Sequence, residues 1–90
     1  MNVIAIFDIG KTNKKLFLFD ENYRIVLEKS VQLAETIDDD GDPCENLESL
    51  EHFVLDSLAE ILSDTRYSIK AVNFSAYGAS FVHIDDQGRP

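Results

Sequence analysis

The chain has 90 residues with a formal net charge of −9, and 44% of it is apolar, with six Phe and three Tyr. That length makes one small domain or part of a larger one, and that composition excludes a disordered chain. No apolar run approaches the ~18 residues of a membrane span, and the start lacks the basic n-region of a signal peptide. A single cysteine, Cys44, excludes an internal disulfide and any multi-cysteine zinc site. A reduced, cytoplasmic chain is the expectation. The charge is uneven: Glu35–Asp64 holds eleven acids and no Lys or Arg, leaving eight basic against six acidic residues elsewhere. With so little basic surface, nucleic acid is not an expected partner. Lys11, Lys14 and Lys15 near the start suit a small anion instead.

In chain order, Val3–Phe7 is a continuous apolar run ending at Asp8, as a strand buried on both faces reads. Ile9 to Lys14 is a turn signal in which Gly10 and Asn13 are expected to take left-handed conformations. Lys15–Phe19 is a second strand, stopped by Asp20-Glu21-Asn22-Tyr23. From Arg24 the pattern alternates, with Ile25, Leu27, Val31 and Leu33 on one face, interrupted by Lys29. Residues 1–34 thus read as a three-stranded antiparallel meander.

Glu35–Glu45 is polar, carries a Gly and a Pro, and reads as a surface loop. The period then changes. Leu47, Leu50, Val54, Leu58 and Ile61, joined by Phe53 and Leu62, predict an amphipathic helix over 46–64 with Asn46 as its N-cap. Two further strands are predicted over 69–85: Ile69–Ser75, which a helical crossover allows to return parallel to the first strand, and Ser80–Asp85. Asp86-Gln87-Gly88 starts a hairpin turn. The order is β-β-β-α-β-β, and one helix cannot cover both faces of such a sheet. Residues 1–90 therefore read as the partial opening of a longer α/β domain, with a compact one-helix α+β domain as the alternative.

Two phosphate motifs compete for the first turn. Gly10-Lys11-Thr12 ends like a P-loop, but Ala5 replaces its first Gly, the intervening Ile-Phe-Asp-Ile belongs to a strand, and a strand follows where a helix is required. The second reading is a strand, an Asp, a Gly turn with Thr and Asn, then another strand. There the backbone N–H groups of Gly10–Asn13 form an anion-binding nest, with the Thr12 hydroxyl and Asn13 amide as further donors. Lys15 is a candidate phosphate contact, and Asp8 is placed to hold Mg²⁺ directly or through water. Phosphoryl transfer divides its labour in this way.

Asp8-Ile9-Gly10-Lys11-Thr12-Asn13-Lys14-Lys15-Leu16-Phe17-Leu18-Phe19-Asp20 resembles the phosphate-1 segment of the actin-like ATPase superfamily, and within it the FGGY carbohydrate kinases. Ala71 to Pro90 is similar to the next block of that family, a strand, a substrate-facing loop and a short strand ending in a turn. The resemblance implies the N-terminal part of a ribonuclease H-like domain. It also implies ATP and Mg²⁺ as cofactors and a sugar hydroxyl as acceptor, with the catalytic base and adenosine pocket in a C-terminal domain beyond residue 90. It implies Gly10, Lys11, Thr12, Asn13 and Lys15 at the nucleotide, Asp8 at the metal, and Tyr77 and Gly78 at the sugar. The sequence departs from the family at Lys11, where Thr is commoner. It also departs at Ala76-Tyr77-Gly78-Ala79-Ser80, which is closer to the rhamnulokinase-like branch but has Ser80 in place of its acid. Two alternatives stand beside the kinase. One is an actin-like ATPase of the activator or chaperone type; the other is a non-catalytic α+β module that dimerises through a sheet edge.

Other residues read as structural. Counting from Asp38 puts Pro43 and Ser49 where an EF-hand needs Gly and Glu. His52 and His83 stand apart, and Cys44 has no basic neighbour to activate it.

Overall fold

The structure, a computed structural model, describes residues 1–78 and 80–90. Strands β1 (Asn2–Ile9), β2 (Lys14–Phe19) and β3 (Ile25–Val31) form the antiparallel meander. After a two-residue ladder of β4 (Thr36–Ile37) with β5 (Pro43–Cys44), helix α1 (Leu47–Ser63) crosses back and β6 (Ser68–Ala76) pairs parallel to β1. The main sheet has the order β3-β2-β1-β6. The described residues form a small α/β domain with a mixed four-stranded sheet and one helix.

Alternation along β1 sorts the layers. Val3, Ala5 and Phe7 point at the helix and are buried, as are Leu16 and Leu18 of β2. From α1, Phe53 and Ile61 complete this core. Phe7 meets Phe53 edge-on, with ring centroids 6.0 Å apart, and stacks on Phe74 of β6 at 5.1 Å. Both arrangements suit the ring quadrupole.

The helix begins as its cap residue dictates. The Asn46 side-chain oxygen accepts from the Ser49 N–H at 3.1 Å, satisfying one orphan donor of the first turn. Its buried line is Phe53, Ser57 and Ile61; Val54 and Leu58 are half-buried at the flank, and Leu62 is exposed. The apolar stripe read from the sequence is therefore rotated toward Phe53. Lys29 supplies the reason. It faces the helix from β3, and its Nζ donates to Ser57 Oγ at 3.1 Å and reaches Glu60 Oε2 at 3.4 Å. A small hydroxyl residue in mid-helix gives the lysine head a partner, while its stem lies along the core.

Two expectations are corrected. The segment Glu35–Glu45 is not wholly loop, because β4 and β5 pair across it. Ser80–Asp85 carries no strand. A strand exists through its ladder, and residues 80–85 find no partner among the described residues. The turn expected after them is present.

Among the described residues, that turn is one of three built alike. In each, an Asp accepts at its side-chain oxygen from the backbone N–H groups two and four residues on, and its own N–H bonds the carbonyl of the latter. The turns are Asp20–Arg24, Asp38–Asp42 and Asp85–Arg89. The fourth residue takes a left-handed φ: +85° at Gly41, +78° at Gly88, but +62° at Tyr23. A left-handed non-glycine costs about 1–2 kcal/mol. Tyr23 is 84% exposed, so its ring offsets little of that. Replacing it with Gly, less the entropy Gly loses on folding, should stabilise the domain by about 0.5–1 kcal/mol and raise its urea midpoint.

Candidate functional site

Strands β1 and β6 run parallel and end together. Asp8 pairs with Ser75 of β6 and with Lys15 of β2, so the three share the face turned away from the helix. No described element covers that face, where Ile4, Ile6, Phe17 and Phe19 are aligned across β1 and β2. The Asp8 side chain is exposed and makes no hydrogen bond or ion pair with the described residues. Lys15 lies 3.7 Å from Glu28 across the ladder.

Just beyond Asp8 the hairpin closes on Gly10, whose N–H donates to the Asn13 carbonyl at 3.0 Å. The left-handed conformations expected at Gly10 and Asn13 are absent: neither has a positive φ. Glycine is required there by proximity, since a Cβ would stand 2.7 Å from the Asn13 carbonyl oxygen. With its N–H engaged in the turn, Gly10 contributes this close approach, while Lys11, Thr12 and Asn13 form the exposed tip. The Asn13 side-chain oxygen accepts from the Gln32 amide at 3.2 Å, which leaves the Asn13 NH₂ as the outward donor.

The sequence reading missed the group beneath this tip. Lys14 is 1% exposed. Its Nζ donates to the Lys11 carbonyl at 2.8 Å and to Glu45 Oε1 at 2.8 Å. The Tyr77 hydroxyl donates to the same Oε1 at 2.8 Å, and the Tyr77 N–H bonds the Ile9 carbonyl at 3.1 Å. Tyr77 thus stands at the hairpin, fastened at both ends. Gly78 is exposed with open space where a Cβ would stand, and Ala79 of the same loop block lies outside the described residues. Two signals pointed to Glu45: it is the last acid before the helix cap, and Lys14 is an inward-facing lysine on an otherwise apolar strand face.

Partial burial pushes the Glu45 carboxyl up. Hydrogen bonds from Lys14 and Tyr77, with the charges of Lys14 and Lys11, outweigh it and hold the group below its ordinary value of 4.5. A depressed carboxylate contributes stability that is complete above that ordinary value and is lost as the pH falls through the lower folded one. In urea titrations stepped downward from pH 5, wild type should therefore lose stability more steeply than Glu45→Gln, which has no charge to lose. Cys44, by contrast, has its thiol pushed up by partial desolvation and by Asp38, Glu35 and Glu45, which disfavours the reactive thiolate. Among the described residues no cluster of three or more His, Cys, Asp or Glu could hold a metal, and no helix is long and apolar enough to cross a membrane.

Neither a scan against protein-family models nor a search of curated proteins returns a match for this chain.

Proposed function

We propose that the chain is the N-terminal portion of an ATP-dependent carbohydrate kinase with a ribonuclease H-like fold. One observation carries this reading: Asp8, the Gly10–Asn13 hairpin and Tyr77 lie together at the common end of the parallel strands β1 and β6. In open α/β sheets, ligands sit beyond the carboxyl ends of the strands. The antiparallel meander followed by a strand returning parallel beside β1 supports the fold assignment.

The residues present fit the groups this function needs. Magnesium keeps several waters and is held by one or two carboxylates, and Asp8 offers one exposed carboxylate with no competing partner among the described residues. When bound, the metal neutralises charge on the transferring phosphoryl group. Thr12 and the Asn13 amide donate to phosphate oxygens, Lys11 and Lys15 supply positive charge, and Tyr77 with Gly78 forms part of the sugar wall. Lys14, neutralised by Glu45, shapes the hairpin without adding net charge.

The test is ADP release by the longer protein this reading requires, measured across a panel of sugars. Sugar-stimulated release is expected, with Asp8→Asn lowering it about 10–100-fold and leaving the fold intact. Release indifferent to every sugar would move the chain to the activator or chaperone type of ATPase. The 90-residue chain alone should show no turnover. One observation favours a second reading, the association module: the exposed edge strand β6 beside the uncovered apolar face. Concentration-dependent dimerisation without any nucleotide effect would select it.

A further inference from the structure

Glu45 joins three stretches of chain that are far apart in sequence. Lys14, at the start of β2, is 31 residues from it, and Tyr77, at the exit of β6, is 32. Both donors converge at 2.8 Å on one oxygen, Oε1. A surface ion pair would hold neither partner firmly, but the Lys14 side chain is 1% exposed and Glu45 is 19% exposed. Lys14 Nζ also holds the Lys11 carbonyl inside the turn, so the grip extends to the tip of the hairpin. Hydrogen-bonded groups sharing one acceptor are coupled, because a shift of that acceptor is felt by both.

We propose that Glu45 is a positioning residue that locks the β1–β2 hairpin to Tyr77, so that occupation of the hairpin by phosphate is transmitted to the Tyr77 side of the cleft. The lock itself stands on the contacts of this chain, while its consequence for ligands rests on the kinase reading. Through Lys14 the carboxylate sets where the Lys11–Asn13 donors stand. Through the Tyr77 hydroxyl it sets where that ring stands. A displacement of either reaches the other through Oε1, with no change needed in the sheet.

The experiment is NMR on the 90-residue chain as wild type, Tyr77→Phe and Glu45→Gln. Tyr77→Phe removes one hydroxyl and keeps the ring and the Tyr77 backbone bond. It should speed exchange of the Gly10 amide and the Lys14 ammonium protons about fivefold or more, the lower range of coupling between sites. Exchange at Leu18 and Leu27 should stay at wild-type rates. Glu45→Gln retains an acceptor oxygen and should keep the Tyr77 ring signals near their wild-type positions. Inorganic triphosphate with Mg²⁺ is then titrated into each protein. In wild type it should move the Lys11–Asn13 amides and the Tyr77 ring signals together, and in Tyr77→Phe it should leave the ring signals still. Wild-type exchange rates at Gly10 in Tyr77→Phe would overturn the lock. So would triphosphate that moves the hairpin amides of wild type while its Tyr77 ring stays put. If Gly10 responds to Tyr77→Phe but no variant binds triphosphate, the lock holds and the phosphate-binding reading falls.

Discussion

Glu45→Ala should cost the domain about 3 kcal/mol, the low end of the penalty for breaking a buried ion pair from one side. The mutation leaves the Lys14 ammonium at 1% exposure with, among the described residues, the Lys11 carbonyl as its one partner, and an unneutralised buried charge is what makes such a change expensive. The low end applies because Glu45 is itself 19% exposed, so water can enter the space the carboxylate leaves. Lys14→Met should cost clearly less. It removes the buried charge, and the remaining carboxylate keeps the Tyr77 hydroxyl and can be solvated. Combining Lys14→Met with Glu45→Ala should recover much of the Glu45→Ala loss, since the two changes act on one interaction and cannot be additive. Urea midpoints of the four proteins complete the cycle. A Glu45→Ala midpoint equal to wild type would mean that Lys14 is not held where the structure puts it.

Gly10→Ala is expected to cost about 1–3 kcal/mol, as overpacking of a closed site does. The added methyl would lie 2.7 Å from the Asn13 carbonyl oxygen, a backbone atom that cannot swing aside. That carbonyl receives the Gly10 N–H, so opening the turn breaks its closing bond. The disturbance also reaches Lys14, the next residue, and with it the ion pair. Gly78→Ala is the matched control. It has open space around its Cβ and no positive φ, so it should remain within about 0.5 kcal/mol of wild type, as surface changes usually do. If the two alanine variants unfold alike, the closed hairpin is not the tight element described. If the proposed kinase function holds, Gly10→Ala should also weaken nucleotide binding, because the Lys11–Asn13 donors move with the turn.

Much of the architecture was legible in the residues. The apolar run Val3–Phe7, the switch from alternation to helical spacing after Glu45, and Asn46 ahead of Leu47 rest on local periodicity and capping, and the folded elements follow them within a residue or two. The parallel placement of β6 followed from the intervening helix. Where the reading failed, a partner was involved. Ser80–Asp85 has strand-forming residues but no neighbouring strand among those described. Lys29 looked like a break in an apolar face, whereas Ser57 across the sheet–helix boundary receives it. At Tyr23 the left-handed turn position is occupied by a residue that no turn rule selects. At Gly10 the right residue was chosen for the wrong reason.

The candidate site divides along the same line. Asp8, Gly10, Lys11, Thr12 and Asn13 fall within six consecutive residues, so a strand, a turn and their chemistry could be read from neighbours along the chain. Their meeting with Tyr77 depends on β6 returning beside β1, which brings residues 68 positions apart within one hydrogen bond of each other at Ile9 and Tyr77. Glu45 depends on more. The β4–β5 ladder and its Asp38 turn fold the acidic segment back, and that fold-back brings the Glu45 carboxylate to Lys14. Periodicity and turn chemistry act over a few residues, so they can be read from order alone. Which buried charge is neutralised by which partner is set by packing across the whole domain, where the desolvation of Lys14 strongly favours an arrangement with a carboxylate beside it.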